Sequence, residues 1–201
     1  MDEEGSTRGR RYSAKIFLSE QDFYEGEVEG GKLSGSGRLT MASKGMTYEG
    51  NFVENQRHGQ GTEAWSDGRR YSGEFKNDKK EGYGEWSLPD GTSYTGQFAN
   101  GNFDGFGALN KTNEYQYSGT FLNGVKHGTG KITYAKGDFY DGSFYKGKKH
   151  GKGIFFCNQL QATYDGDWFN GKQHGIGFVT EPGFSKVKAL YQDGVQVVTL
   201  E

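Results

Sequence analysis

The sequence predicts an all-β protein, a single elongated and twisted antiparallel meander sheet of repeated β-hairpins. Three observations predict it: a fixed period, a strand-like alternation of side chains, and two turn signals that alternate along the chain. The period is set by a tyrosine that recurs at spacings of 24, 23, 23, 23, 23 and 24 residues. Such a period indicates a repeat array in which each unit packs mainly on its neighbours. The seven intact repeats begin at Tyr24, Tyr48, Tyr71, Tyr94, Tyr117, Tyr140 and Tyr164.

Each repeat has the same internal pattern when its tyrosine is counted as slot 0. Slots 2, 11 and 13 are glycine in every repeat. Slot 4 is apolar and holds, in order, Val28, Phe52, Phe75, Phe98, Phe121, Phe144 and Trp168. The succession of aromatic residue, glycine and aromatic residue at alternate positions has the period of a β-strand. Helical spacing occurs nowhere in the chain.

Two kinds of turn are expected to connect the strands. The first occupies slots 6 to 10 and contains Asn-Gly in three repeats, as in Asn100-Gly101, and both residue types tolerate positive φ. The second is clearest from Leu88 to Thr92 (Leu-Pro-Asp-Gly-Thr), which is typical of a three-residue hairpin loop with a bulge. That loop predicts a register in which slot 15 faces the next tyrosine and Gly82 faces Phe98. We therefore expect each slot-11 glycine to leave room for a slot-4 ring lying flat across the neighbouring strand.

Irregular units mark the two ends of the array. Lys15 to Leu18 fit slots 14 to 17 of a half repeat, and the segment after Val187 is a degenerate terminal unit. We therefore predict a repeat domain over residues 15–201 with a C-terminal cap over about 187–201, preceded by a flexible segment over residues 1–14. About 17 strands spaced by about 4.8 Å predict a sheet about 80 Å long.

Composition excludes several classes of protein. The formal net charge of -2 argues against bulk nucleic-acid binding. A mean hydropathy of -0.88 and the lack of a long apolar run argue against a membrane span. The acidic start, Met1 to Glu4, lacks the apolar core of a secretory signal. Because Cys157 has no second cysteine to pair with, we expect a reducing, cytoplasmic location.

Residue types that carry chemistry in other proteins fill repeat slots here. The four histidines all occupy slot 10. Equivalent slots of neighbouring repeats are two strands or roughly 10 Å apart, too far for two histidines to share a zinc ion. Paired acids such as Glu25 and Glu27 alternate with the rings and are expected on a solvated face. The segment Gly142–Lys149 resembles a phosphate-binding loop but lacks its terminal Ser/Thr and precedes a strand. We therefore expect no catalytic residue, no cofactor-binding residue, no metal site and no enzyme activity.

The pattern Y-x-G-x-[FW] followed by G-x-G at slots 11 and 13, with a period of 23, resembles the MORN (membrane occupation and recognition nexus) repeat. The resemblance covers residues 15–201 and departs from the pattern at Val28 in slot 4, Glu63 in slot 15 and Glu114 in slot 20. It implies a single elongated antiparallel sheet and a scaffold function. It also implies settings such as the ciliary axoneme, for example a radial-spoke head, or the cytoskeleton.

Two surfaces are candidates for that function. The first is the aromatic face, where a row of rings is expected to stay partly open and to bind a helical or extended segment of a protein partner, or another copy of the chain. The alternative for this face is that packing of the rings on glycine buries most of their area. The residues proposed for partner binding are Tyr48, Phe52, Tyr71, Phe75, Tyr94, Phe98, Tyr117, Phe121, Tyr140, Phe144, Tyr164 and Trp168.

The second candidate surface is a basic edge formed by the loops of slots 8 to 12. As a functional surface it would bind anionic lipid or an acidic protein and make the chain a peripheral membrane tether. The alternative is that these charges serve solubility and protect the edge of the sheet. The residues proposed for this contact are Lys126, Lys148, Lys149, Lys152 and Lys172.

Overall fold

The computed structural model describes residues 10–200, and they confirm the all-β prediction. These residues form seventeen β-strands and one turn of 3-10 helix at Ala42–Lys44, without any α-helix among them. The pairings are antiparallel, and successive strands form hairpins. Residues 1–9 of the predicted flexible segment lie outside the described residues. The chain forms two compact units. The first unit ends at Pro89 and also includes Phe98–Gly101. The second unit consists of Asp90–Gln97 and of the chain from Asn102 onward.

In the first unit, each strand pairs with the next one along the chain. Its strands are β1 (Tyr12–Phe17), β2 (Asp22–Glu29), β3 (Lys32–Met41), β4 (Met46–Val53), β5 (Gln56–Trp65), β6 (Arg70–Lys76) and β7 (Lys79–Ser87).

In the second unit, each strand from β9 to β17 again pairs with the next one along the chain. Strand β8 (Ser93–Ala99) belongs to this unit up to Gln97. The other strands are β9 (Asn102–Lys111), β10 (Tyr115–Leu122), β11 (Val125–Tyr134), β12 (Phe139–Tyr145), β13 (Lys148–Cys157), β14 (Ala162–Phe169), β15 (Lys172–Thr180), β16 (Val187–Gln192) and β17 (Val195–Leu200).

The predicted register recurs within both units. In the first, Leu39 of slot 15 opposes Tyr48, and Gly35 of slot 11 opposes Phe52. In the second, Ile132 opposes Tyr140 in the same way. The register of these hairpins therefore follows from the turn chemistry.

The two kinds of turn also have the predicted backbone. Asn100 and Gly101 both have positive φ, 51° and 87°, as a two-residue hairpin turn requires. In the three-residue loops, Gly68, Gly91 and Gly137 adopt left-handed φ values between 84° and 91°. These turns place the strands so that the same slots line up from repeat to repeat.

The predicted role of the glycines was correct in kind but wrong in detail. The ring that occupies the missing side-chain space belongs to the tyrosine of slot 0, not to the aromatic residue of slot 4. A Cβ atom on Gly61 would lie 2.3 Å from the hydroxyl oxygen of Tyr48, and one on Gly50 would lie 2.5 Å from Cα of Gly61. A Cβ on Gly59, in slot 11, would instead meet Asn51, and its φ of +66° is the stronger requirement for glycine there.

Both ends of the array have the predicted degenerate units. Strand β1 begins at Tyr12, three residues before the boundary at residue 15 that the sequence predicted. Within β1, Ile16 opposes Tyr24 as a slot-15 residue should. At the other end, β16 and β17 form a hairpin in which Tyr191 takes the slot-4 position and packs 5.1 Å from the ring of Tyr164.

Candidate functional site

Every slot-0 tyrosine makes the same hydrogen bond. Its hydroxyl donates to the backbone carbonyl oxygen of slot 3, for example from Tyr94 to Gln97 at 2.8 Å and from Tyr164 to Asp167 at 2.9 Å. In most hairpins the register shifts between slots 2 and 4, which interrupts the backbone ladder at slot 3. The hydroxyl thus satisfies a carbonyl at this irregular point, and this explains why slot 0 is Tyr and not Phe. Burial raises the pKa of Tyr117 to about 12, so its hydroxyl remains protonated at neutral pH.

Within each unit, the slot-4 rings join neighbouring tyrosines into a row. Phe52 packs edge to face against Tyr24 and Tyr48, with both centroid distances 5.1 Å. In the second unit Phe144 makes the same two contacts, with Tyr117 and Tyr140, at 5.2 Å. This is a favourable arrangement for aromatic pairs. The aromatic face is therefore a hydrophobic core one ring thick.

The expectation that this aromatic row stays partly open was wrong. The slot-0 and slot-4 rings are all buried, from 0% exposure at Tyr48 to 7% at Trp168. The alternative, that packing against glycine and against each other covers the rings, describes the structure. The residues affected by this correction are Tyr48, Phe52, Tyr71, Phe75, Tyr94, Phe98, Tyr117, Phe121, Tyr140, Phe144, Tyr164 and Trp168.

Side chains of slot 9 cover the outer side of this core. In one repeat the cover is Phe103, whose ring stacks on Tyr94 at 3.8 Å. In others it is a cation: Lys126 Nζ lies 3.9 Å from the ring centre of Tyr115, and Lys149 lies within 6 Å of four ring centres. The ring faces attract an ammonium group. Burial nevertheless lowers the pKa of both lysines to about 8, because it disfavours the charged form.

The predicted basic edge is therefore divided between different environments. Lys126 and Lys149 are half-buried over the aromatic core, so their inclusion in a solvent-facing edge was wrong. Lys148 and Lys172 are exposed on strands β13 and β15. Lys152 is exposed as well, and its Nζ lies 2.6 Å from a carboxylate oxygen of Asp167. Only part of the edge is thus free to meet an anionic partner.

At Glu63, where the sequence departs from the apolar slot 15 of the repeat, the structure contains a buried ion cluster. Its carboxylate lies 2.5 Å from a guanidinium nitrogen of Arg57 and 3.2 Å from Lys80 Nζ, and it accepts a hydrogen bond from Trp65 at 3.1 Å. Burial by itself would raise the pKa of Glu63, but the bond from Trp65 and the two cations hold that pKa below its usual value. These contacts assign Glu63 to packing, since each of its oxygens already has a protein partner.

The histidines of slot 10 lie beside the turn of the next repeat. At the same slot Glu81 and Asp104 accept hydrogen bonds from the backbone N–H groups of Asn100 and Asn123, at 3.0 and 2.9 Å. The Nδ1 atoms of three slot-10 histidines are buried without a hydrogen-bond partner, namely His58, His150 and His174. Where slot 10 is acidic, its side chain thus supports the turn of the next repeat. Among the described residues, no group of three or more His, Cys, Asp or Glu side chains could hold a metal ion.

The face opposite the aromatic core, which we call the far face, has a different character in each unit. In the first unit it carries an open groove of about 590 Å³ with a floor of paired glycines such as Gly37 and Gly50. The walls of this groove are polar and include Glu25, Arg38 and Glu49. Because every wall residue is small or polar, the groove offers hydrogen bonds and charges but little apolar contact.

In the second unit the far face carries a row of side chains that the sequence analysis missed. The ring of Tyr145 lies 5.3 Å from that of His127 and 5.5 Å from that of His150. Phe169 lies 5.3 Å from His150 and 5.6 Å from His174. Leu122 occupies the same slot 5 one repeat earlier. We call this row the aromatic–histidine strip, formed by Leu122, His127, Tyr145, His150, Phe169 and His174.

A sequence signal for the strip was present. Slot 5 follows the buried slot 4 directly, so alternation along the strand places it on the far face. In the first unit this slot holds Glu29, Val53, Lys76 and Ala99, none of which is aromatic. Leu122, Tyr145 and Phe169 occupy it in the second unit, and the two rings at an outward slot were the informative feature.

Comparison with known families agrees with the repeat geometry. A family model for the MORN repeat matches seven segments, residues 24–46, 48–69, 71–93, 94–109, 117–139, 140–160 and 164–180. No curated protein sequence matches the chain. Within residues 10–200, no helix has the length and apolar character needed to cross a membrane. MORN repeats are generally modules that bind proteins or membranes. The seven matched segments cover more than half of the chain, which is therefore a member of the MORN-repeat family.

Proposed function

We propose that this chain is a non-enzymatic scaffold that binds protein partners through its far face. The observation that carries the proposal is the exposure of large apolar side chains on a sheet whose own core is already complete. Tyr83 in the first unit and Phe106 in the second are 58% and 60% exposed on this face. Neither ring contributes to the buried aromatic row, and exposed apolar surface of this kind usually marks an interaction site.

The proposed setting is a cytoplasmic assembly of the cytoskeleton or of the ciliary axoneme, such as a radial-spoke head. This part of the proposal rests on the family resemblance alone. It predicts that the tagged chain colocalises with axonemal or other cytoskeletal structures in its source cell. A uniformly diffuse distribution that is lost when detergent extracts the soluble contents of the cell would contradict it.

The test of the scaffold itself is direct binding. Proteins captured by the purified full chain are identified, produced separately and titrated against it by calorimetry. We expect saturable binding to at least one protein, and we expect it to weaken when exposed far-face rings are replaced by serine without a change in the urea midpoint. If none of the captured proteins binds the purified chain directly, the proposal is overturned.

A second candidate function is peripheral membrane binding, favoured by the exposed ammonium groups of Lys148 and Lys172. Co-sedimentation with vesicles that contain phosphatidylserine tests it against neutral vesicles. Binding that needs the anionic lipid and disappears at raised salt would support the tether. Equal recovery with neutral and anionic vesicles would remove it.

A further inference from the structure

The aromatic–histidine strip is apolar, continuous and accessible. Leu122, Tyr145 and Phe169 are 45%, 47% and 48% exposed, although their neighbours along the chain, such as Phe121 and Phe144, are buried. Tyr145, His150 and Phe169 each contact a ring on both sides, so the surface from His127 to His174 crosses several strands without a gap. The strip is therefore a surface and not a set of isolated side chains.

Cations lie beside this surface. Lys148 is directly opposite Tyr145 in the strand pairing, and Lys172 is directly opposite Phe169, so both point to the far face. Lys146, in the turn next to Tyr145, places its Nζ 5.3 Å from that ring centre. None of these three lysines forms an ion pair with another residue in the part of the chain that the structure describes. In contrast, Lys32, at the slot of Lys148 in the first unit, pairs with Glu54.

The position of the strip favours a protein segment over a membrane. Tyr145 and Phe169 are the last paired residues before the turns that end their hairpins, and their side chains project from the face of the sheet and not from the hairpin ends. Those turns are Asn123-Gly124, Lys146-Gly147 and Asn170-Gly171, which carry no apolar side chain. A flat bilayer at the hairpin ends would therefore contact these polar turns and not the strip. A narrow segment lying across the strands would contact the strip first.

The geometry points to an acidic, amphipathic segment of a protein partner as the occupant of the aromatic–histidine strip. This inference rests on the proposed scaffold function and names its surface and the chemistry that it recognises. Apolar side chains of the segment pack on Tyr145 and Phe169, and its carboxylates pair with the unpartnered lysines. Charge complementarity selects an acidic partner because three lysines without an ion pair flank Tyr145 and Phe169, whereas the carboxylates at the two ends of the strip already have partners. Asp104 accepts a hydrogen bond from the backbone N–H of Asn123, and a carboxylate oxygen of Asp193 lies 4.0 Å from His174.

The repeat also sets the spacing of the partner's apolar residues. Leu122, Tyr145 and Phe169 occupy the same slot of successive repeats and are therefore two strands, or about 10 Å, apart. A segment in the extended polyproline II conformation has three residues per turn and advances about 3.1 Å per residue, so its every third side chain lies on one face and matches this spacing. A helix rises about 1.5 Å per residue, so its every seventh side chain matches. Acidic residues are expected between these anchors.

A random-peptide library displayed on phage and selected on the purified full chain provides the probe. We expect enriched peptides to carry net negative charge and apolar residues at one of the two spacings. Their dissociation constants, measured by fluorescence anisotropy with synthetic peptides, should rise by about tenfold or more in the variant Tyr145→Ser with Phe169→Ser. The variant Lys148→Gln with Lys172→Gln should weaken binding less and reduce its dependence on salt.

Matched controls use residues outside the strip. Phe184→Ser, in the segment between β15 and β16, removes a ring that is more exposed than either strip ring, and Lys136→Gln removes an exposed cation, so both should leave peptide binding unchanged. Equal urea midpoints show that every variant remains folded. Basic or uncharged peptides, or binding that depends on Phe184 and not on the strip, would overturn the inference.

Two further outcomes separate this inference from the proposed function. If peptides or protein partners bind elsewhere on the chain, the strip is not the binding surface, but the proposed scaffold function is retained. If neither a peptide nor a protein binds, the inference about the strip and the proposed scaffold function are both wrong. Vesicles of phosphatidylcholine with phosphatidylserine are tested with the same variants. If the chain binds these vesicles through the strip but binds no peptide, the inference is overturned and the occupant of the strip is a membrane.

Discussion

Replacing Gly153 with alanine tests the packing of tyrosine on glycine. A Cβ atom on Gly153 would lie 2.4 Å from both Cε2 and the hydroxyl oxygen of Tyr140, so the ring would have to move by about 1 Å to reach an ordinary contact distance. The ring is held by its hydrogen bond to the Ser143 carbonyl at 2.8 Å and by the rings of Phe144 and Trp168 at 5.2 and 5.1 Å. It therefore cannot move without loss elsewhere.

The expected cost follows from these contacts. Overpacking of a well-filled core costs about 1–3 kcal/mol, and a buried carbonyl that loses its donor costs about 1–3 kcal/mol. Removing a glycine from the unfolded chain contributes about 0.4–1 kcal/mol in the opposite direction. We therefore expect Gly153→Ala to lower the free energy of unfolding by roughly 3 kcal/mol.

A double-mutant cycle with Tyr140→Leu isolates the clash. Leucine keeps an apolar side chain but does not reach across the glycine, so Gly153→Ala in this background should no longer lower stability and should raise it by up to about 1 kcal/mol. Urea unfolding followed by circular dichroism and tryptophan fluorescence measures both differences. If Gly153→Ala costs the same in both backgrounds, the reasoning is wrong. The chain offers a natural comparison: Ala189 takes slot 2 in the terminal unit, where slot 0 is Val187 and not tyrosine.

Other expected outcomes concern the ion cluster, the turn support and the covering lysines. Glu63→Leu leaves the cation of Lys80 over the core without its carboxylate and should cost about 3 kcal/mol by urea unfolding; a neutral effect would contradict this. His150→Asp supplies an acceptor for the Asn170 backbone N–H and should stabilise by about 1 kcal/mol, whereas a lower urea midpoint would refute the assigned role. Because burial lowers the pKa of Lys126 to about 8, below its value in the unfolded chain, the unfolded state binds more protons above pH 8 and stability should rise from pH 8 towards 10. Lys126→Leu should reduce that rise, and an unchanged pH profile of the urea midpoint would count against it.

The sequence predicted those parts of the fold in which one residue type is required. Slot 11 must be glycine because its backbone is left-handed, as at Gly128 with a φ of +66°. The Asn-Gly turns fix a two-residue connection, and a fixed connection sets the register of the whole hairpin. Strand order then follows from the chain, since each hairpin pairs with the next.

The burial of the aromatic row was not predictable from the pattern alone. Periodicity states which face a ring is on, but not the direction in which it leans or what lies above it. That outcome depends on slot 9, where residues as different as Phe103 and Lys149 both fold over the rings. A long aliphatic stem with a charged end covers apolar surface much as a ring does, so a basic residue near a loop need not belong to a solvent-facing edge.

The packing of each repeat also decides where function should be sought. Slots 0, 2, 4, 11 and 13 are occupied by core and backbone requirements, so variation there would destabilise the sheet. Slots on the far face carry no such requirement, and charged residues such as Glu29 and Lys76 fill slot 5 without cost in the first unit. An exposed ring at the same slot, such as Tyr145 or Phe169, adds nothing to the core and lowers solubility. Its presence is explained by a partner that covers it, and the acidic segment proposed for the strip is the partner that the neighbouring lysines would select.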